Sequence, residues 1–265
     1  MRLNSAIRIL SAAAALLFTG LPSRGWGATG HKIVVALAQR HLTLNTSTAL
    51  SQLFSYDYID DASWADKHRK DAEYLFTDSY HTMAMNKNYL YDPGWRSWSG
   101  GDCVTGLDFF DWNLSHRQQL HLTDSVCVFN VRMVLHVVGD MHCLCHSYVM
   151  PEKNQWDCTY KGTAYTYHSF FDKVPELMYE SLTPAKVAAK IDTWPEDRIK
   201  ACGQGTFIDW AQECCARDKI IYDVNPYGTS TLDPDTLEKT GPAVVEALQY
   251  AGYRLAYLLN KYFDN

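Results

Sequence analysis

The 265-residue chain is short of positive charge: 24 basic residues stand against 30 acidic ones, a formal charge of −6. No basic tail or stripe is present to hold a polyanion, so any phosphate chemistry must draw its positive charge from elsewhere. With Gly 15 and Pro 9 the chain is neither collagen-like nor low-complexity, and no internal repeat is visible. Long apolar runs are missing too, apart from residues 9–18, so nothing later in the chain can span a bilayer. Period-two alternation is scarce. What is present is 47% hydrophobic residues, many spaced three and four apart, in a chain long enough for a sizeable core. The fold expected is mainly α, a single-domain multi-helix bundle.

Arg2 and Arg8 precede the apolar run at residues 9–18, Gly20 and Pro22 break it, and Ser23-Arg24-Gly25 supplies small residues where a signal peptidase reads. Residues 1–25 are therefore expected to be a signal peptide and 26–265 the mature domain, starting at Trp26, in a protein that is secreted or held in a secretory lumen. Cleavage removes three arginines and no acid, leaving 21 basic against 30 acidic residues, or −9. The even set of eight cysteines (Cys103, Cys127, Cys143, Cys145, Cys158, Cys202, Cys214, Cys215) favours disulfides in that compartment, with the pairing left open. Asn45-Thr46-Ser47 and Asn113-Leu114-Ser115 are glycosylation sequons.

Helices are expected at residues 33–39, 130–139 and 207–218, from Thr183-Pro184 onward, and from Gly241-Pro242 to Tyr262. Residues 92–95, 97–101 and 223–235 read as loops, and short strands fit residues 153–167.

The chemistry lies in the histidines. His136-Val-Val-Gly-Asp140 and His168-Ser-Phe-Phe-Asp172 each set an imidazole and a carboxylate at i and i+4, one helical turn apart on one face. One such pair is ordinarily a surface ion pair. Two pairs in apolar helices, with His31, Asp66, His81 and His146 besides, point to ligands for divalent metal, because neutral imidazole and ionised carboxylate are what hydrolytic zinc sites use. Asp140, between Val138 and Met141, would be costly to bury without a cation; Lys67 or Arg69 could also supply one. A mature terminus at Trp26 would offer its amine and carbonyl as a chelate, with Gly27 and Gly30 letting the backbone bend so that His31 reaches the same ion.

These residues resemble the type I single-strand-specific nucleases, the secreted tri-zinc enzymes of fungi and plants, related to protozoan 3'-nucleotidase/nucleases and to bacterial zinc-dependent phospholipase C. The resemblance is carried by Trp26-Gly-x-x-Gly-His31, Ala62-Ser-Trp-Ala-Asp66, His81, His136-x-x-Gly-Asp140-Met, His146, His168-x-x-x-Asp172 and Gly252-Tyr-Arg-Leu-Ala256. It spans nearly the whole mature chain.

It implies a phospholipase C/nuclease-type bundle with a trinuclear zinc cleft. One Zn2+ would be held by Asp66, His81, His136 and Asp140; a second by the Trp26 amine and carbonyl with His31, sharing Asp140; a third by His146, His168 and Asp172. It further implies in-line hydrolysis of phosphodiesters of single-stranded DNA and RNA to 5'-phosphate products, 3'-nucleotides as further substrates, Arg69 as a catalytic residue holding transition-state charge, and no stable protein partner. Three Zn2+ would bring the mature charge to about −3 and concentrate positive potential at the site.

The sequence departs from the family in three places. His81 is followed by Thr82-Met83-Ala84, where the family has an aromatic residue and then the acid that orients the arginine. His142-Cys143-Leu144-Cys145 replaces a Gln-Pro-Leu stretch, and its Cys-x-Cys could form disulfides or supply thiolate ligands. Thr166-Tyr167 stands in place of Asn-Leu. Tyr148, Trp156 and Tyr165 are candidates to stack on a base. The competing functions are a zinc-dependent phospholipase C, or a secreted zinc-binding protein with weakened catalysis.

Overall fold

The computed structural model describes residues 26–96, 98–149 and 155–264; the expected signal peptide at 1–25 lies outside the described residues. Ten α-helices carry the fold: α1 (Ala28–Gln39), α2 (Leu44–Phe54), α3 (Trp64–His68), α4 (Cys103–Ser115), α5 (Asp124–His142), α6 (Tyr167–Met178), α7 (Pro184–Ile191), α8 (Glu196–Cys202), α9 (Phe207–Val224) and α10 (Thr236–Phe263). Among the described residues strand content is confined to two short pairs, so the expected mainly α, single-domain class holds. No described helix is long and apolar enough to cross a membrane.

Two helices are buried nearly all round, the mark of a central helix. In α1, residues 33–38 are buried without interruption, and in α5 every residue from Val134 to His142 is. The 28-residue α10 runs about 42 Å at 1.5 Å per residue and packs on α1, α5 and α9. Its contact with α1 is backbone-close: a Cβ at Gly252 would fall 2.6 Å from the Leu37 side chain. Buried Arg254, also on α10, donates from Nε to the Cys202 carbonyl and from Nη1 to His142 Nε2 at 2.9 Å, and pairs with Glu213. His142 Nδ1–H in turn donates to the Val138 carbonyl. His142 thus ties α5 to α10.

Several expected boundaries move. Helix α1 begins at Ala28, which puts Gly30 and His31 on the helix instead of in a bend before it. Gly30 serves clearance, since a Cβ there would sit 2.7 Å from the Trp26 side chain. Helix α10 starts at Thr236, so Pro242 lies inside it and not at its opening. Helix α7 opens at Pro184 with Thr183 as its cap, as expected, the Thr183 side chain accepting from Lys186 N–H. Asn45 is exposed on α2, whereas Asn113 Nδ2 donates to Asn130.

Strands β1 (Met83–Met85) and β2 (Ser147–Val149) form a parallel pair in which Met83 faces Ser147, and β3 (Asp157–Tyr160) and β4 (Thr163–Thr166) form a hairpin in the region where strands were expected. The expected disulfides are corrected: all eight cysteines are free thiols, and all are buried. Seven of them, all but Cys127, lie within the hydrophobic core.

Candidate metal centre

Residues from α1, α3, α5, α6 and the loops before β1 and β2 converge on one buried centre. His31, His81, His136, Asp140 and His146 are 0% exposed, His168 and Asp172 are at 1% and 3%, and Asp66 is half-buried at the rim. Asp140 lies at the middle. Its Oδ2 accepts from the His81 side at 2.8 Å and lies 3.0 Å from His136 Nε2, while its Oδ1 lies 3.3 Å from His31 Nε2 and 3.8 Å from His146 Nδ1. One carboxylate therefore faces two groups, the geometry of a bridge.

Three of the imidazoles, His136, His146 and His168, are aimed by a second bond. His136 Nδ1–H donates to the Ala62 carbonyl at 2.9 Å, leaving Nε2 as the lone pair that faces Asp66 and Asp140. His146 Nδ1–H donates to the His81 carbonyl at 2.8 Å, and Met83 N–H returns a bond to the His146 carbonyl. The short β1–β2 pair thus clamps the His81 and His146 loops together. His168 Nδ1 lies 3.1 Å from the Tyr148 hydroxyl and 3.0 Å from Gln155, so its Nε2 faces Asp172 Oδ2 at 3.5 Å. His31 stacks on His136 with ring centroids 4.1 Å apart.

The spacings fit metal coordination. Around a tetrahedral ion with ligands at about 2.0–2.1 Å, neighbouring ligand atoms lie about 3.4 Å apart. The separations His31–Asp140, His146–Asp172, His136–Asp66 and His81–Asp66 are 3.3, 3.4, 3.6 and 3.7 Å. Three sets bring their ligand atoms within 4.8 Å of one another: His31 with His136 and Asp140, Asp66 with His81 and His136, and Cys143 with His146 and Asp172. His31 Nε2, Asp140 Oδ1, His146 Nε2 and Asp172 Oδ2 are buried without a hydrogen-bond partner in the protein. Such orphaned groups cost free energy unless something meets them, and an imidazole and carboxylate donor set fits divalent zinc.

Charge at the centre is unevenly shared: burial would lower the His136 imidazole, but Asp140 and Asp66 outweigh that and raise it well above its ordinary value. Burial lowers the His31 imidazole, helped by His136, and takes His146 down to about 4, so both stand neutral as ligands must. Burial alone would raise the Asp140 carboxyl, yet His136, His31 and His81 hold it well below the usual range. Asp172 lacks that help: burial, with Asp140 and Asp66 nearby, pushes it well up. The centre has more negative charge than its imidazoles neutralise.

Gly139, between His136 and Asp140, makes room for this arrangement, since a Cβ there would sit 2.6 Å from His31 Nδ1. Gly139→Ala is expected to push His31 away and weaken metal binding about 10- to 100-fold, the range typical of residues that orient ligands. Equilibrium dialysis against zinc checks this.

The loop that carries Cys143 and His146 is fastened by Asp218 of α9. Cys145 adopts φ 77°, and its N–H donates to Asp218 Oδ2 at 3.1 Å; Ser147 donates its hydroxyl to the same oxygen. Burial raises the Asp218 carboxyl to about 7, against the Ser147 and Cys145 hydrogen bonds that favour its charge. Between about pH 4 and 7 the native state keeps this proton after the unfolded chain has lost it, so stability falls as pH rises through that window. The total is on the order of 4 kcal/mol. Asp218→Asn is expected to flatten that slope in thermal melts compared with the parent protein.

Arg69 is buried at the end of α3, one turn after Asp66, with Nη1 3.6 Å from Asp78 Oδ1. Ala84, where the family's orienting acid is usual, is buried in β1. Asp78, which the sequence motifs did not single out, supplies a carboxylate beside the arginine from another position. Of the stacking candidates, Tyr148 is 2% exposed with its hydroxyl on His168, and Trp156 has Tyr167 stacked on it at 4.2 Å; Tyr165 remains half-exposed. Sequence reasoning also missed the orienting roles of Tyr148 and Gln155, and of the Ala62 carbonyl, which opens the Ala62-Ser-Trp-Ala-Asp66 motif. The clearance at Gly139 was signalled only by a glycine at its position in His-x-x-Gly-Asp.

The chain is similar to Nuclease S1 of Aspergillus oryzae, 24% identical over 288 positions that cover 96% of this chain and 97% of that one. It is likewise similar to Endonuclease 2 of Arabidopsis thaliana, 24% identical over 280 positions covering 94% of each. The S1/P1 Nuclease family model matches residues 26–264, from the tryptophan before α1 to the end of α10. With that match running the length of the described chain, the protein belongs to the S1/P1 nuclease family.

Proposed function

We propose that the chain is a zinc-dependent endonuclease that hydrolyses phosphodiesters of single-stranded DNA and RNA to 5'-phosphate products and also acts on 3'-nucleotides. The observation that carries this reading is the bridging position of Asp140, one oxygen toward His31 and the other toward His81 and His136. Asp66, His81, His136 and Asp140 hold one zinc. His31 and Asp140, with the amine and carbonyl of Trp26 after cleavage at residue 25, hold a second. His146, His168 and Asp172 hold a third. Divalent zinc at such a centre supplies a hydrolytic nucleophile at neutral pH and stabilises charge on the phosphoryl oxygens.

The chain's own part is positional. Trp26 is fully buried beside Gly30, and Gly27 N–H donates to the Asp172 carbonyl at 2.9 Å, which ties the start of the domain to the helix of the third group. Arg69 holds the charge that builds on the phosphoryl oxygens, with the Asp78 carboxylate 3.6 Å from its guanidinium. In this reading, cleavage of the leader after residue 25 supplies the free amine.

The test is hydrolysis of matched single-stranded and duplex oligonucleotides by the mature protein, before and after chelation and with zinc restored. Zinc-restorable cutting of the single strand, with 5'-phosphate ends by mass spectrometry, is expected. Equal cutting of duplex, or hydrolysis of liposomes without hydrolysis of nucleic acid, would overturn it.

A further inference from the structure

We propose that Cys143 is a metal ligand, its Sγ joining His146, Asp172 and His168 so that the third group carries a thiolate as well as nitrogen and oxygen donors. The proposal rests on the metal-centre reading above and goes beyond its nitrogen and oxygen ligand sets. Cys143 caps α5 and is 2% exposed, and its Sγ lies 3.8 Å from Asp172 Oδ1. The same carboxylate oxygen lies 3.4 Å from His146 Nε2, and the other faces His168 Nε2 at 3.5 Å. With zinc–sulfur near 2.3 Å and zinc–nitrogen or –oxygen near 2.0–2.1 Å, a tetrahedral site puts sulfur about 3.6 Å from its neighbours. The observed spacing meets that.

The local chain is shaped to hold the thiol there. Cys143 N–H donates to the Asp140 carbonyl and His146 N–H to the Cys143 carbonyl, at 3.1 Å each, closing a turn that sends both side chains to one side. The left-handed backbone at Cys145, fixed by Asp218, completes the turn. The independent sign of a ligand is His146 Nε2, fully buried, aimed into this group and without a hydrogen-bond partner. Coordination would release the Cys143 thiol proton to solvent. Thiolate and carboxylate together would neutralise a divalent ion held by this group.

Cobalt reports a thiolate directly, through a near-ultraviolet sulfur-to-metal charge-transfer band. The mature protein is stripped with chelator and loaded with Co2+, bound cobalt is counted by native mass spectrometry, and the spectrum is recorded for the parent, Cys143→Ser and Cys145→Ser. The expected result is a band of one-thiolate intensity in the parent, lost in Cys143→Ser and kept in Cys145→Ser. Bound cobalt with no band in the parent overturns the thiolate ligand and leaves the metal centre standing. A protein that takes up no cobalt overturns both. The parent spectrum decides even if the serine variant misfolds, and a Cys143–Cys145 disulfide found in the native protein would also refute the proposal.

Discussion

Asp140→Asn is expected to reduce phosphodiester hydrolysis by at least about 10³-fold, the scale set by the several kcal/mol that metal-borne charge contributes to a hydrolytic transition state. Both oxygens of this fully buried carboxylate are committed, one to the His31 side and one to His81 and His136. Asparagine keeps the shape and removes the charge, so the two ions proposed to share Asp140 would lose their common anion together. Bound zinc should fall by more than one ion per chain, which separates a bridge from a ligand of one site. Native mass spectrometry gives that count, and a stopped assay on a single-stranded oligonucleotide gives the rate. Wild-type turnover in this variant would contradict the bridging role.

Arg69→Ala is expected to lower turnover about 10²- to 10³-fold, as removal of one preorganised donor to a developing oxyanion does. The loss should fall on kcat and not on KM if, as proposed, the guanidinium meets charge that is fully developed only in the transition state. Arg69→Lys should recover only part of the rate, since a point charge does not reproduce the planar fork. Asp78→Asn is expected to show a smaller loss of the same kind, because Asp78 acts through Arg69 at 3.6 Å. Steady-state kinetics on a small nitrophenyl-phosphodiester nucleotide tests all three variants. A pure KM effect in Arg69→Ala would assign the arginine to substrate binding instead.

Much of this was legible in the sequence because helical periodicity and ligand spacing are local signals. His136 and Asp140, like His168 and Asp172, sit one turn apart by sequence alone, and α5 and α6 present them so. Helix α7 announced itself through Thr183 and Pro184. Helix α2 was overlooked because its Ser- and Thr-rich sequence buries only Thr46, Leu50 and Phe54, a stripe one residue wide. The start of α10 was placed late because Pro242 reads as a first-turn residue, while surrounding contacts hold it in the second turn. The β1–β2 clamp could not be read: three residues of Met83–Met85 meet three near Ser147, far apart along the chain, and no local pattern marks a pair that short. Asp78 beside Arg69 belongs to the same class of non-local fact. The disulfide expectation came from compartment and cysteine count, neither of which specifies where eight thiols lie once the helices pack.

The most direct measurement is intact mass spectrometry of the secreted protein under native conditions, which reports its first residue and its bound ions at once. The account predicts a chain that begins at Trp26 and carries three zinc ions. A chain that retains residues before Trp26, or that flies free of metal, would contradict it.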